Sequence, residues 1–210
     1  MNLEGQPTTN YVTITREINV LSPTTFVPNI EEIYTALPKI NRYNGQTIRP
    51  YSVAAHSLMC TFVAENEYLI KEPHLLLAIL LHDASEAYIG DIVRPIKYSC
   101  SAHLETIERQ IMNSILVNVA GLAFCEFTDI NNAAFLNKVK EIDSRMAITE
   151  IHQLRPDHAS KVRLNGHAPF KNLVLPNMEW QHEEAWFKKS YYRLNSLCIN
   201  QRMVGDANEN

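Results

Sequence analysis

Apolar residues near the N-terminus alternate with polar ones, and this spacing then changes to a helical one. The alternating apolar positions between residues 11 and 20 are Val12, Ile14, Ile18 and Val20. Alternation of this kind predicts a short N-terminal strand or hairpin. After the proline-containing segment 22–28, the apolar positions that share one helical face are Ile30, Ile33, Tyr34 and Leu37. Pro38 predicts the end of this first, short helix.

Two helices in the middle of the chain differ in how much of their surface is apolar. The first is expected to begin near Ser52. Its apolar face carries His56 together with Met59, Cys60 and Val63. The second begins at Pro73 and is expected to run to about Tyr88, where Gly90 provides a stop. Because this second helix is apolar nearly all round, we expect it to be the central helix.

Three more amphipathic segments bring the expected total to five or six helices. They cover about residues 102–119, a stretch from near Thr128 or Asp129 through Ile151, and about residues 178–199. The proline-containing connection 155–176 has room for a small strand at 173–175. The pattern therefore predicts an all-α fold with minor strands. A length of 210 residues favours a single domain.

Composition and charge narrow the classes of function. The chain has 19 basic and 23 acidic residues, a net charge of −4, which is the wrong sign for coating a nucleic-acid polymer or an anionic membrane. Its longest apolar run, 75–81, is far shorter than the ~20 residues of a membrane-spanning helix. The N-terminus lacks the features of a secretory signal, so we expect a cytoplasmic protein. The four cysteines contain no C-x-x-C pair and are expected to be reduced thiols.

An adjacent His82 and Asp83 lie at the end of the most apolar helix. Burying such an ionisable pair is costly unless something compensates it, and a divalent cation is a natural compensator for an imidazole nitrogen and a carboxylate oxygen. His56, on the apolar face of the preceding helix, is a candidate third ligand, and Asp143 is a candidate fourth. Glu86 follows His82 by four residues and projects toward the same side, where it can act on a metal-bound water.

The order His56, then His82-Asp83, then Asp143 resembles the H…HD…D pattern of the HD-domain metal-dependent phosphohydrolases. Within that superfamily, three segments look like YfbR-like bacterial 5'-deoxynucleotidases and their phage-encoded relatives, which include dATP triphosphohydrolases. These segments are INRYNG at 40–45, RPYSVAAHS at 49–57 and LHDASEAYIGD at 81–91. The resemblance runs from roughly Thr13 to Leu154, and it implies an HD-domain helical bundle with its core at 29–154, flanked by a strand region at 1–28 and by 155–210.

The resemblance also implies roles for individual residues. One divalent transition metal, Co, Mn or Zn, would be bound by His56, His82, Asp83 and Asp143. Glu86 would assist the attacking water, and Asp91 would orient water or substrate. An arginine–aromatic pair upstream of the first histidine contacts the nucleotide in these enzymes. Arg42-Tyr43 is the pair in this chain, with Tyr43 where the nucleotidases usually carry Trp.

For several other residues the sequence allows two interpretations, one functional and one structural. Arg42, Arg49 and Lys97 can neutralise a substrate phosphate or lie on a solvated surface. Glu150 shares the helical face of Asp143 and either supports the metal site or lies at the edge of the core. The last helix carries an aromatic stripe that is expected in the core or at a subunit interface rather than as a platform for the base: Trp180, Trp186, Phe187, Tyr191 and Tyr192.

The expected function is cleavage at the 5' (alpha) phosphate of a 2'-deoxyribonucleotide, which converts a deoxynucleoside monophosphate into a deoxynucleoside and phosphate. One alternative is a triphosphohydrolase that releases tripolyphosphate from a substrate such as dATP, and another is a catalytically silent nucleotide-binding module. The expected partners are a deoxynucleotide and, by resemblance, further copies of the chain in a dimer or a larger ring. Neither a nucleic-acid polymer nor a membrane is expected as a partner. A phage-encoded protein would act in the host cytoplasm.

Overall fold

The structure is a computed structural model, and it describes residues 10–19, 26–99, 101–121, 133–161 and 166–208. This part of the chain is mostly helical and has one small hairpin, which confirms the predicted all-α fold. The hairpin pairs β1 (Tyr11–Val12) with β2 (Glu17–Ile18) in antiparallel register. It is attached to the helices through the buried carboxylate of Glu32, which accepts hydrogen bonds from Thr13, Thr15, Arg16 and Tyr88.

The helices alternate with short turns and 3-10 segments. In chain order they are α1 (Ile30–Ala36), α2 (Val53–Asn66), α3 (Pro73–Leu81), α4 (Glu86–Ile89), α5 (Arg94–Ser99), α6 (Ser101–Asn118), α7 (Ala133–Leu154) and α8 (Trp180–Asn208). Single 3-10 segments cover Leu37–Lys39, Arg42–Gly45 and Pro156–Lys161. No helix in the described ranges is both long and apolar enough to cross a membrane.

Helices α2 and α3 form the centre of the core. Ser52 caps α2 by accepting a hydrogen bond from the backbone N–H of Ala55, and Pro73 occupies the first turn of α3. Every residue of α3 from Leu76 to Leu81 is buried, as expected for the most apolar helix. Helices α7 and α8 both pack against α2 and α3. The centre of the bundle is therefore enclosed by helices from both halves of the chain.

The end of α3 differs from the prediction, which had placed it near Tyr88. The helix ends at Leu81, residues 82–85 form turns, and α4 begins at Glu86. In this segment the backbone hydrogen bonds span three residues, from Ala84 N–H to Leu81 O and from Glu86 N–H to Asp83 O. The tighter winding is that of a 3-10 turn and interrupts the α-helix. Gly90 then ends α4 with a φ of 77°.

The later elements also correct several expectations. Residues 173–175 form no strand, because the side chain of Gln153 binds both the carbonyl of Leu173 and the N–H of Leu175 in place of a strand partner. Helix α8 begins at Trp180 and continues past Ile199 to Asn208. The expected start of the fifth helix near Thr128 or Asp129 lies outside the described residues, as do Cys100 and Cys125.

The aromatic stripe of α8 divides between two surroundings. Phe187 and Tyr191 are buried in the core, while Trp180 and Tyr192 are exposed. The core interpretation therefore holds for Phe187 and Tyr191 and not for Trp180 and Tyr192.

Candidate active site

Three helices and one 3-10 segment bring the predicted site residues together. His56 lies in α2, His82 and Asp83 follow α3, and Asp143 lies in α7. The segment Arg42–Gly45 is held beside the start of α2, because the N–H of Arg42 donates to the carbonyl of Tyr51 at 2.9 Å and that of Val53 donates to Ile40 at 3.0 Å. The same contacts that begin α2 thus place Arg42 next to the helix that carries His56.

Four side-chain atoms converge on one point. Nε2 of His56 lies 3.1 Å from Nε2 of His82, 3.2 Å from Oδ1 of Asp143 and 3.6 Å from Oδ2 of Asp83. Nε2 of His82 lies 3.4 Å from Asp83 Oδ2 and 3.9 Å from Asp143 Oδ1. Neighbouring ligand atoms about 2.1 Å from a common cation lie about 3.0–3.4 Å apart. Three of the five separations have this spacing, and the two others, 3.6 and 3.9 Å, exceed it.

Hydrogen bonds at Nδ1 of His56 and of His82 fix the orientation of the two rings, so that Nε2 of each ring faces the other predicted ligands. Nδ1 of His56 is 2.5 Å from Oε1 of Glu150, and Nδ1 of His82 is 2.7 Å from the carbonyl oxygen of Ile79. Both acceptors require a proton on Nδ1, so a neutral ring carries its lone pair on Nε2, which can coordinate a cation in place of its contact with Asp143. The donor set of two imidazole nitrogens and two carboxylate oxygens suits Zn, Co or Mn. The residues present therefore fit the metal that the sequence predicts.

The electrostatics of these groups favour a positive charge at the same point. Burial opposes ionisation of Asp143, yet hydrogen bonds from His56 and His82 hold the pKa of that carboxyl well below its usual range. Burial likewise opposes protonation of His82, but Asp83 and Asp143 raise the pKa of its ring. The two shifts are reciprocal: the imidazoles stabilise the ionised carboxylates, and the carboxylates stabilise a protonated imidazole. A divalent cation bound at this point would supply positive charge in place of the imidazole protons.

Glu86 also lies at this site, and its pKa is raised, whereas the pKa values of Asp83 and Asp143 are lowered. Its side chain is buried, and burial together with Asp83 and Asp91 raises its pKa to about 9. Oε2 of Glu86 has no hydrogen-bond partner among the described residues. A carboxyl group that holds a proton near neutral pH and has an unengaged oxygen is suited to proton transfer.

A cavity of about 670 Å³ opens on this group of residues. The predicted metal ligands Asp83 and Asp143 line it, together with five of the other predicted site residues: Arg42, Tyr43, Glu86, Asp91 and Lys97. Apolar side chains complete its wall, among them Ile92, Val93 and Ile151. This size and mixture of surfaces is ordinary for a small-molecule site.

Asp91 holds the backbone turn that presents Arg42 and Tyr43. Its Oδ2 accepts a hydrogen bond from the backbone N–H of Tyr43 at 3.0 Å. Tyr43, Asn44 and Gly45 have φ angles of 58°, 51° and 70°, a left-handed conformation that is costly for the two residues that are not glycine. Asp91 therefore stabilises this turn. The family resemblance implies a different role for it, the orientation of water or substrate.

Lys97 and Arg49 are both predicted to contact a substrate phosphate, but only Lys97 lines the cavity. Lys97 lines the cavity and also pairs with Glu108 at 2.7 Å. Arg49 does not line the cavity: its guanidinium donates to the carbonyl of Leu175 at 3.1 Å and lies over the ring of Tyr51. The structure therefore places Arg49 away from the cavity that the other predicted substrate contacts line, with its guanidinium bound to the 166–176 connection.

Several side chains at the site were not foreseen from the sequence. Sγ of Cys60 lies 3.6 Å from Nε2 of His56, and its position four residues after His56 on the same helix was the available signal. Arg155 lines the cavity, and the four-residue spacing of Asp143, Ala147, Ile151 and Arg155 could have identified it. Asn44 and Gln46 also line the cavity, but the left-handed turn that directs them there has no clear sequence signature.

Comparisons with known proteins agree with this arrangement. A family model described as 5'-deoxynucleotidase YfbR-like matches residues 32–149, which include all four converging residues. An uncharacterized protein of Rhodobacter capsulatus is 39% identical over 88 residues, a match that covers 39% of this chain and 43% of the relative. The uncharacterized protein YfdR of Escherichia coli is 35% identical over 68 residues, or 32% of this chain and 34% of the relative. Each match spans less than half of the relative's length.

Proposed function

The chain belongs to the YfbR-like 5'-deoxynucleotidase family, and on that premise we propose that it is a metal-dependent hydrolase of the 5' phosphate of 2'-deoxyribonucleotides. The observation that carries the proposal is the convergence of two imidazole nitrogens and two carboxylate oxygens beside a cavity that both carboxylates and Glu86 line. The favoured substrate is a deoxynucleoside monophosphate, and the products are a deoxynucleoside and inorganic phosphate.

The residues that would hold the cation are His56, His82, Asp83 and Asp143. When bound, a divalent cation there would supply charge for a phosphoryl oxygen and would make a water molecule more acidic. The sequence and the donor atoms favour Co, Mn or Zn. Glu150 and the carbonyl of Ile79 keep the two rings turned with Nε2 toward the cation.

Glu86 is the proposed proton carrier. A water oxygen forms a bond to phosphorus, the bond between phosphorus and O5' breaks, the protonated Glu86 carboxyl gives its proton to O5', and the resulting carboxylate takes the proton that the water loses. Its unengaged Oε2 and its burial in the cavity wall support this role. Groups in such positions contribute roughly 10²–10⁴-fold to the rate.

Arg42 is the proposed phosphate contact. Its Nη1 is 3.1 Å from Asp83 and its Nε is 3.0 Å from Glu150, so the guanidinium is fixed beside the metal site. Its Nη2 has no hydrogen-bond partner among the described residues. A rigid guanidinium with a remaining donor can bind a phosphoryl oxygen with little loss of side-chain freedom. Lys97 adds a second positive charge at the same cavity.

A second candidate function, triphosphate hydrolysis with release of tripolyphosphate, is favoured by one further observation. Arg155 lines the cavity and lies over the ring of Tyr43, with its guanidinium carbon 5.8 Å from the ring centre. Arg155 and Lys97 would offer charge for phosphates beyond the one that is attacked. Both functions use the same attacking water, metal-binding residues and Glu86.

The test is a product analysis by liquid chromatography. Protein stripped of metal is re-supplied with Co, Mn, Zn or Mg and given each deoxynucleoside monophosphate, each triphosphate and the matching ribonucleotides. Deoxynucleoside and phosphate from monophosphates would support the first function. Deoxynucleoside released directly from a triphosphate, with tripolyphosphate, would support the second. No turnover with any cation would favour a nucleotide-binding module.

Glu86→Gln tests the proton carrier, and Glu183→Gln is its matched control. Glu183 is also a buried carboxyl whose pKa is raised by burial, but it contacts Ser52 and does not line the cavity. We expect the Glu86 variant to keep its bound cation and lose at least 100-fold in turnover. The Glu183 variant should keep its turnover within a few-fold of the wild type. Equal activity of the two variants would contradict the role of Glu86.

A further inference from the structure

The carboxylate of Glu150 is wholly buried in α7, and it contacts both halves of the site. Its Oε1 is 2.5 Å from Nδ1 of His56. Its Oε2 accepts hydrogen bonds from Nε of Arg42 at 3.0 Å and from the hydroxyl of Tyr43 at 2.8 Å. The side chain has no exposed surface, so water cannot replace any of these three donors.

We propose that Glu150 is a positioning residue shared by the cation site and the nucleotide site, and that its carboxylate couples binding at one to binding at the other. The nucleotide part of this inference rests on the proposed function, whereas the cation part rests only on the four converging side chains. Neither the family resemblance nor the donor set alone assigns this role to Glu150.

The first half of the role concerns His56. A carboxylate at Nδ1 keeps the proton on that nitrogen, directs the Nε2 lone pair at the cation and makes the ring a stronger donor. Asp143, which supplies another ligand, lies seven residues earlier on the same helix, two turns away. One helix therefore presents both a ligand and the group that orients a second ligand from α2.

The second half concerns the left-handed turn. Tyr43 and Asn44 adopt a conformation that the chain does not favour by itself, so Arg42 and Tyr43 need contacts that hold them against the cavity. Glu150 is the acceptor that both side chains share. Because one rigid carboxylate receives all three donors, ordering the His56 side by a cation also orders the Arg42 and Tyr43 side. By thermodynamic linkage, a nucleotide should then strengthen cation binding by the same factor.

Glu150→Gln is the central variant. An amide offers one acceptor oxygen and replaces the other with an NH₂ donor, so it cannot accept from His56 and from Arg42 and Tyr43 at once. Glu32→Gln is the matched control: Glu32 is also buried and accepts from an arginine and a tyrosine, but it does not line the cavity. Tyr43→Phe removes one donor from Glu150 without touching His56.

The readouts are the dissociation constant for Zn or Co by calorimetry, with and without deoxynucleoside 5'-phosphorothioate, and the KM for deoxynucleotide at saturating cation. We expect Glu150→Gln to bind the cation about 10–100-fold more weakly, to raise KM, and to lose the strengthening of cation binding by nucleotide. Tyr43→Phe should raise KM while the cation constant measured alone stays within about twofold of the wild type. Glu32→Gln should change neither constant.

A second measurement uses the wild-type protein, so it does not depend on the folding of a variant. Nitrogen-15 NMR of the histidine rings should show a strongly deshielded proton on Nδ1 of His56, both with and without a bound diamagnetic cation such as Zn. An unchanged cation constant in Glu150→Gln, or a His56 ring protonated only on Nε2 in the cation-free protein, would overturn the proposal. If the wild type binds cation but hydrolyses no nucleotide, the proposed function fails while the cation constants still test Glu150.

Discussion

Two arginines near the cavity differ in what their guanidinium groups contact. Arg155 lies at the cavity wall over the ring of Tyr43, whereas Arg49 is engaged by the carbonyl of Leu175 and the ring of Tyr51. Arginine is common both in phosphate sites and in contacts that tie loops together, so the residue type alone does not decide between these roles. Their positions predict opposite consequences of substitution.

Arg155→Ala should raise the KM for deoxynucleotide about tenfold, because one charged donor at the cavity would be lost, a change worth about 1.4 kcal/mol. Arg49→Ala should leave KM within about twofold and lower the melting temperature, since the hydrogen bond from Arg49 to Leu175 in the 166–176 connection would be lost. Steady-state kinetics and thermal melts on both variants check the pair. A larger KM effect for Arg49 than for Arg155 would contradict the geometry.

Two substitutions of Asp91 test whether its hydrogen bond to Tyr43 holds the left-handed turn. Asp91→Ala removes the acceptor for the N–H of Tyr43 and should raise KM up to about tenfold, because an amide in a strained turn would lose a hydrogen bond worth about 1 kcal/mol. Asp91→Asn keeps an oxygen in the same place and should have a smaller effect on KM. Equal KM values for Asp91→Ala and the wild type would show that this contact does not hold the turn.

The sequence identifies the residues of the site better than it identifies their contacts. His56, His82, Asp83 and Asp143 could be selected because their order and spacing match a family pattern, and the structure brings them together. The three donors to Glu150 come from positions 94 to 108 residues away, a distance over which no local spacing carries information. The position of Arg49 likewise depends on a connection whose path has no periodic pattern.

At the scale of elements, the turn after α3 places Asp83 and Glu86 on the same cavity. A continuous helix through Tyr88, as its apolar pattern predicts, would have kept regular helical spacing between these two residues. The pattern missed the break because the turn contains residues that a helix also tolerates. Helix starts were predicted more closely, since Ser52 and Pro73 mark them by capping chemistry that acts locally.

Gly90 provides a test of how α4 must end. Its φ of 77° and ψ of 166° lie in a region that is almost restricted to glycine, although a side chain there would meet no atom within 4 Å. Gly90→Ala should therefore destabilise the protein by about 1–3 kcal/mol through backbone strain alone. Urea unfolding measures this loss. A free energy of unfolding equal to that of the wild type would mean that the turn relaxes without cost.

At the scale of the whole molecule, the proposed cation site would join α2, α7 and the end of α3. A ligand that binds only the folded protein at 100 times its dissociation constant stabilises it by about 2.7 kcal/mol. For a chain of this length that corresponds to a melting temperature about 5–10 °C higher. Thermal melts of metal-stripped protein with and without Zn or Co should show this rise. Asp143→Asn, which lacks one ligand charge, should show a much smaller one.

The long separation between His56 and Glu150 has a consequence for the order in which the molecule folds. Contacts between residues 94 apart close a large loop, so the cation site is expected to be completed only after the rate-limiting step. A cation would then leave the folding rate unchanged and slow unfolding, by about 100-fold at 100 times its dissociation constant. Stopped-flow folding and unfolding in urea would separate the two rates, and an accelerated folding rate would place the site in the transition state. The bound cation is thus expected to lengthen the lifetime of the folded protein without helping it to form.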